Sequence, residues 1–153
     1  WIDFPREGNG WSYKYARRQW NLLDNPDLDY HYLGDFDQEM LKVVKSEKDF
    51  VKTPVQEIWH NDGDQVLAFM RGDLIFVFNF SPTHSFTDYG FLVPEGAYDV
   101  VLNSDAKIFG GNGFADDSVE HLTNYDPVYE KDKKGWLKLY IPARSAVGLK
   151  KNK

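Results

Sequence analysis

The segment Trp1-Ile2-Asp3-Phe4-Pro5-Arg6-Glu7-Gly8-Asn9-Gly10-Trp11 concentrates more chemically able side chains than any other loop of the chain. Aromatic rings stack on the C–H faces of sugars, and aspartate, arginine and asparagine hydrogen-bond hydroxyls. Burial under neighbouring structure competes with that reading, and for clustered aromatics burial has the better claim on residue type alone. Other chemistries find less support. His31, His60, His84 and His121 include no pair at i, i+3 or i+4, so no metal ligation is expected. The stretch Phe109–Phe114 is glycine-rich, but no Lys-Ser or Lys-Thr follows it, so it reads as a connecting loop and not a phosphate cradle. Asn61–Asp64 and Asp116-Asp117 lack the longer ligand set and distal glutamate of a calcium loop. No serine sits in a G-x-S-x-G elbow. Carboxylates are abundant, but a glycosidase pair is defined by a separation of roughly 5–10 Å in space, which spacing along the chain does not show.

The elements that must position these groups belong to a chain of 153 residues, enough for one sizeable core. Its aromatic share of 16% favours a β-rich core or a sugar-binding surface. A net charge of −6 argues against nucleic acid or an anionic membrane as partner. No apolar run approaches the roughly 18 residues that span a bilayer. The absence of cysteine excludes disulfides and thiolate chemistry and fits a cytoplasmic protein. The opening Trp1–Pro5 reads as loop, so the chain is expected to be part of a longer protein.

Two regimes of patterning divide the chain near residue 50. Before it, Ser12–Leu23 has helical spacing with Ser12 as N-cap, and Asp24–Asp27 ends it. A better helix is expected from the Asp35 cap, with Gln38 completing a capping box and Phe36, Met40, Val43 and Val44 forming one stripe, to end near Glu47. After it come short strands: Val55–His60, Gln65–Met70, Leu74–Phe80, Phe86–Tyr89, Gly96–Asn103, Ser118–Leu122, Trp136–Ile141 and Ser145–Leu149. Such a series predicts an antiparallel sandwich. Its centre is the hairpin Gln65–Phe80 around Gly72-Asp73. The turn places Arg71 opposite Leu74, Met70 opposite Ile75 and Phe69 opposite Phe76. Both faces are apolar, so the hairpin should be covered on both sides.

Five stretches carry a family resemblance. WIDFPREGNGWSYKYARRQ is similar to the loop and helix that close the catalytic barrel of glycogen and starch branching enzymes, in the α-amylase superfamily. YHYLGDFDQEM resembles the helix that follows, and LIFVFNFSPTHSFTDY a later strand pair. VVLNSDAKIFGGNG and LYIPARSAVGL match the last β segments, so the resemblance spans essentially the whole chain. It implies a mainly β fold: a C-terminal antiparallel β-sandwich of Greek-key type, preceded by a short helical segment that ends a (β/α)8 barrel. Residues 1–50 would be the last loop and helices of the barrel, and 51–153 the sandwich. The Leu67, Phe69, Phe76 and Phe78 face of the hairpin should then meet the opposing sheet. The Val66, Ala68, Met70, Ile75 and Val77 face is left for the N-terminal helices or the barrel.

The resemblance also implies a job. The parent enzyme moves an α-1,4-glucan segment onto a 6-hydroxyl by a retaining mechanism, with an aspartate nucleophile and a glutamate acid/base. Those motifs lie upstream of Trp1, so no catalytic residue, metal or cofactor is assigned and the piece alone is expected to be inactive. Loops after barrel strands build such active sites, so Trp1, Asp3, Arg6 and Trp11 are the expected substrate-binding residues bordering the glucan cleft. The expected partners are the parent barrel and an α-glucan. Alternatives are a non-catalytic carbohydrate-binding sandwich using Trp59, Tyr98, Tyr125, Tyr129 or Trp136, and a purely structural domain.

Overall fold

The computed structural model describes residues 3–17, 19–48 and 50–152. These form two helices, α1 (Trp20–Leu23) and α2 (Tyr30–Ser46), and eight strands. The strands are β1 (Gln56–Asn61), β2 (Val66–Arg71), β3 (Leu74–Asn79), β4 (Phe86–Pro94), β5 (Ala97–Asn103), β6 (His121–Leu122), β7 (Lys134–Ile141) and β8 (Ser145–Lys151). One sheet has the order β1-β2-β3-β8-β5-β6, and β4 pairs with β7 in a second. Every pairing is antiparallel. The chain leaves the large sheet after β3 and again after β6, and β8 returns between β3 and β5, a Greek-key style of crossing.

The hairpin has the register that its turn predicts: Arg71 faces Leu74, Met70 faces Ile75 and Phe69 faces Phe76. Gly72 holds φ +66°, a backbone region that a side chain would oppose. Both hairpin strands are interior to the sheet. The two faces, however, are reversed from expectation. Val66, Ala68, Ile75 and Val77 point into the core and pack with Phe91, Val93, Leu137, Leu139 and Ile141 of the small sheet. Leu67, Phe69, Phe76 and Phe78 lie on the outside of the sandwich, half-buried. The physical reason is volume. Facing sheets stand about 10 Å apart. The small sheet already contributes a phenylalanine and three large aliphatics, so short β-branched side chains fill the remaining space, where a second set of phenylalanines would overfill it.

The outer face carries an aromatic ladder instead. Phe69 lies 5.2 Å from Phe76 and 5.8 Å from Phe78, and Phe78 stacks 5.7 Å from Phe80. The segment following α2 covers one end of it. Phe50 meets Phe76 edge-on at 6.3 Å, and the Arg71 guanidinium sits 4.5 Å above the Phe50 ring. Arg71 also donates to the carbonyls of Thr53 (2.8 Å) and Val51 (2.7 Å). Lys150, opposite Leu74 in the sheet, pairs with Glu47 at 2.5 Å. The end of α2 is thus fastened to the sheet by two cations.

The helical piece differs from its expectation. Ser12–Leu23 does not form the expected helix: among its described residues, helical structure is limited to Trp20–Leu23. Ser12 Oγ accepts from the Lys14 amide, and the Gln19 side chain donates to the carbonyls of Lys14 (2.7 Å) and Arg17 (3.1 Å). These local bonds occupy groups that a helix would use. Conversely α2 begins at Tyr30, and Asp35 lies inside it and not at its cap. Gly34 lets α1 approach: a Cβ there would fall 2.5 Å from Leu23. On the sandwich side, Phe36 meets Phe109 edge-on at 5.3 Å. β4 extends five residues beyond the expected Tyr89, past a bulge near Asp88.

Candidate functional site: the Asp3–Trp11 loop

Of the four expected substrate-binding residues, Trp1 lies outside the described residues. The structure brings Asp3 and Arg6 together and sets Trp11 beside them. Arg6 Nε donates to both Asp3 oxygens (3.1 and 3.2 Å), and Nη2 donates to Oδ2 at 2.9 Å. Asn9 completes the knot. Its Nδ2 donates to Asp3 Oδ2 (3.1 Å) and to the Phe4 carbonyl (2.8 Å), and its Oδ1 accepts from the Arg6 amide (2.9 Å). The turn Glu7–Asn9 ends at Gly10 and Trp11, both left-handed, at φ 62° and 59°. The Trp11 amide bonds back to the Arg6 carbonyl (2.9 Å), while its indole stands 66% exposed. A non-glycine residue held in the left-handed region is unusual and needs surrounding bonds to sustain it. Here the Asp3–Arg6–Asn9 knot supplies them.

The electrostatics limit what this loop can do. The Arg6 guanidinium, with the Asn9 amide, holds the Asp3 carboxyl below the usual carboxylate range, and Asp3 in turn raises Arg6. With both oxygens engaged, Asp3 is neither a free nucleophile nor a proton donor at neutral pH. It is a positioning group. Arg6 spends Nε and Nη2 on Asp3, and Trp11 stands largely exposed beside the pair.

Asn9 was not among the expected site residues, although it holds the whole turn together. The signal was the Asn-Gly step with an acid six residues before it, which is weak without the fold. A second cluster joins β1 to β4. Trp59 Nε1 donates to Tyr89 Oη (3.1 Å), and Tyr89 donates to Asp64 Oδ2 (2.7 Å). Burial, then Asp64, raises the Tyr89 hydroxyl above its ordinary pKa, so it stays a neutral donor linking β1 to β4. The alternative aromatic platforms fare unequally. Tyr98 is 1% exposed, its hydroxyl donates to the Pro94 carbonyl at 2.7 Å, and burial pushes its pKa up to about 12, so it offers no ring face. Trp136 is tied to Asp126 (2.9 Å) and meets Tyr129 edge-on. Tyr125 is exposed.

The β-sandwich and its place in the chain define the class first. Residues 58–152 match the family described as alpha amylase, C-terminal all-beta domain, and the chain belongs to that family. More particularly, it is 41% identical over 97% of its length to the 1,4-alpha-glucan-branching enzyme of Saccharomyces cerevisiae, covering 21% of that protein. It is 46% identical over 81% of its length to a chloroplastic/amyloplastic 1,4-alpha-glucan-branching enzyme of Oryza sativa subsp. japonica, covering 15% of it. An α-amylase from H. orenii is a similar solved structure, with TM-score 0.46 and 18% identity over 88% of this chain and 22% of that one. The chain spans about a fifth of the length of the yeast relative that it matches.

Proposed function

We propose that this chain serves as the C-terminal, non-catalytic part of a 1,4-α-glucan branching enzyme, which forms α-1,6 branches in glycogen biosynthesis. The observation that carries this reading is identity of 41% to a protein of that name across 97% of the chain, well beyond the all-beta domain match at residues 58–152. In this reading, residues 1–50 complete the catalytic barrel and 51–153 form the sandwich that supports it. The side chains of Phe4, Tyr13, Trp20, Tyr30 and Leu33, each more than half exposed, supply an apolar surface for the barrel to cover. The Asp3–Arg6–Asn9 knot stiffens the loop, so that Arg6 and Trp11 border the glucan cleft together with Trp1. The partners are the barrel and an α-glucan.

Among the described residues, no helix is long and apolar enough to cross a membrane. The cytoplasm is the compartment proposed, on the cysteine-free composition.

The test is to place this chain in the S. cerevisiae relative in exchange for the matching segment, then compare Arg6→Ala and Trp11→Ala with the unmutated graft. Branch formation on amylose should fall about tenfold in each, or the transferred chain length should change. Unaltered rate, chain-length profile and stability in both variants would refute the cleft-bordering role.

A further inference from the structure

The outer face of the large sheet passes from covered to bare along a single strand. Leu74, Phe76 and Phe78 of β3 alternate onto that face, and Phe80 stacks on Phe78 just beyond the strand. Leu74 is 0% exposed, Phe76 lies against the Phe50 ring, Phe78 is part-buried and Phe80 is 61% exposed. The cover at the buried end is the segment after α2, held by Lys150 through Glu47 and by Arg71 through the Val51 and Thr53 carbonyls. Leu67 and Phe69 of β2, opposite Phe78 and Phe76, widen the bare end. The edge strand β1 gives it a rim. A bulge between Glu57 and Trp59 lets Glu57 and His60 stand on the outer face, opposite Phe69 and Leu67 and 3.9 Å from each other, and Asp62 meets His60 at 3.0 Å. The same bulge turns Trp59 to the inner side, onto Tyr89.

A hydrocarbon centre with a polar rim is the anatomy of a contact between folded protein surfaces. Leu67, Phe69, Phe78 and Phe80 carry no hydroxyl or amide for sugar hydroxyls to meet, so another apolar surface suits them better than a glucan. What reaches them follows from what already covers the rest of the face. The covering segment is the tail of the helical piece, which the branching-enzyme reading assigns to the barrel. Most of the S. cerevisiae relative lies outside the stretch that this chain matches. A body continuous with α2 therefore meets the sandwich on this side and extends the cover along β3. We propose that the patch Leu67, Phe69, Phe78 and Phe80, rimmed by Glu57, His60 and Asp62, is the seat on which the parent barrel docks. The barrel presents an apolar surface to the rings and a lysine or arginine to the two rim carboxylates. The proposal rests on the branching-enzyme reading above and adds which face of the sandwich bears the barrel.

The chain has no cysteine, so Phe80→Cys gives it a single thiol at an exposed position of the patch. N-ethylmaleimide labelling of that residue, read by peptide mass spectrometry, is compared between the isolated chain and the chain grafted into the S. cerevisiae relative. Labelling should be at least about tenfold slower in the graft. Val128→Cys is the control: it is 76% exposed in the turn Pro127–Asp132, beside Trp136 of the small sheet, and should label alike in both. Equal labelling of Phe80→Cys in both proteins, with the graft still forming branches, would overturn the proposal and leave the branching reading standing. Slowing of Phe80→Cys by maltoheptaose in the isolated chain would overturn it in favour of a glucan platform. Slowing that grows with the concentration of the isolated chain would overturn it in favour of a second copy. A folded graft that forms no branches would remove the branching reading and the proposal with it.

Discussion

Arg71→Ala should release the segment after α2 from the sandwich without melting the sandwich itself. Arg71 makes two charge-assisted hydrogen bonds, to Thr53 O at 2.8 Å and Val51 O at 2.7 Å, and caps the Phe50 ring at 4.5 Å. Bonds to a charged group contribute roughly 1.5–3 kcal/mol each when buried, and an exposed cation–π contact about 0.5–1 kcal/mol. The site is only half-buried and Val51 is largely exposed, so the freed Val51 carbonyl recovers water and most of the gross sum is lost. The net cost is about 2 kcal/mol, which in a chain of this size lowers Tm by roughly 4–8 °C. Hydrogen exchange resolves where the loss falls. Amides after α2, near Phe50–Thr53, should open locally and lose most of their protection, while those of β3 and β8 lose no more than the global cost of about 2 kcal/mol. A Tm change under 1 °C with protection intact near Phe50 would refute the clamp. A loss in β3 and β8 as large as that near Phe50 would refute its locality.

Three further outcomes follow from the same contacts. Gly111→Ala would place a Cβ 2.2 Å from the Asp105 backbone. It should cost about 2 kcal/mol, read by urea denaturation, and disturb the amides of Asn112, Phe114 and Ala115 that donate to the Asp105 carboxylate. Tyr98→Phe removes the bond to Pro94 O and should cost about 1–2 kcal/mol; in the parent chain, ultraviolet titration should leave one tyrosine un-ionised until about pH 12. The Asp3 carboxyl is depressed in the fold, so its contribution is complete above the unfolded-state pKa and is lost as pH falls through the lower folded value. The Asn9 side-chain amide should therefore keep its NMR position at pH 5 and move only in stronger acid; movement between pH 5 and 7 would contradict the knot.

The sequence made local, repetitive signals legible and left convergent ones hidden. Hairpin register follows from two residues of turn and strict alternation, and Gln65–Phe80 displays both. Which hairpin face is inside did not follow, because both are apolar. The choice is made by the residues that arrive from β4 and β7, more than ten positions further on. The Ser12–Leu23 spacing was helical, but Gln19 turns its amide onto nearby carbonyls, an option that periodicity does not register. At the candidate site, Asp3 and Arg6 were legible as types, and their union through Asn9 was not. Tyr89 and Asp64 stand 25 residues apart, and Trp59 joins them only because β1 and β4 converge.

One measurement bears most directly on the proposed role. The S. cerevisiae relative is produced in two forms, one without the segment that this chain matches and one with this chain in its place. Each is incubated with amylose, and α-1,6 anomeric protons are counted by NMR. The truncated form should make none, and the graft should restore them. A folded graft that forms no branches, or a truncated form that branches as fast as the graft, would contradict the account.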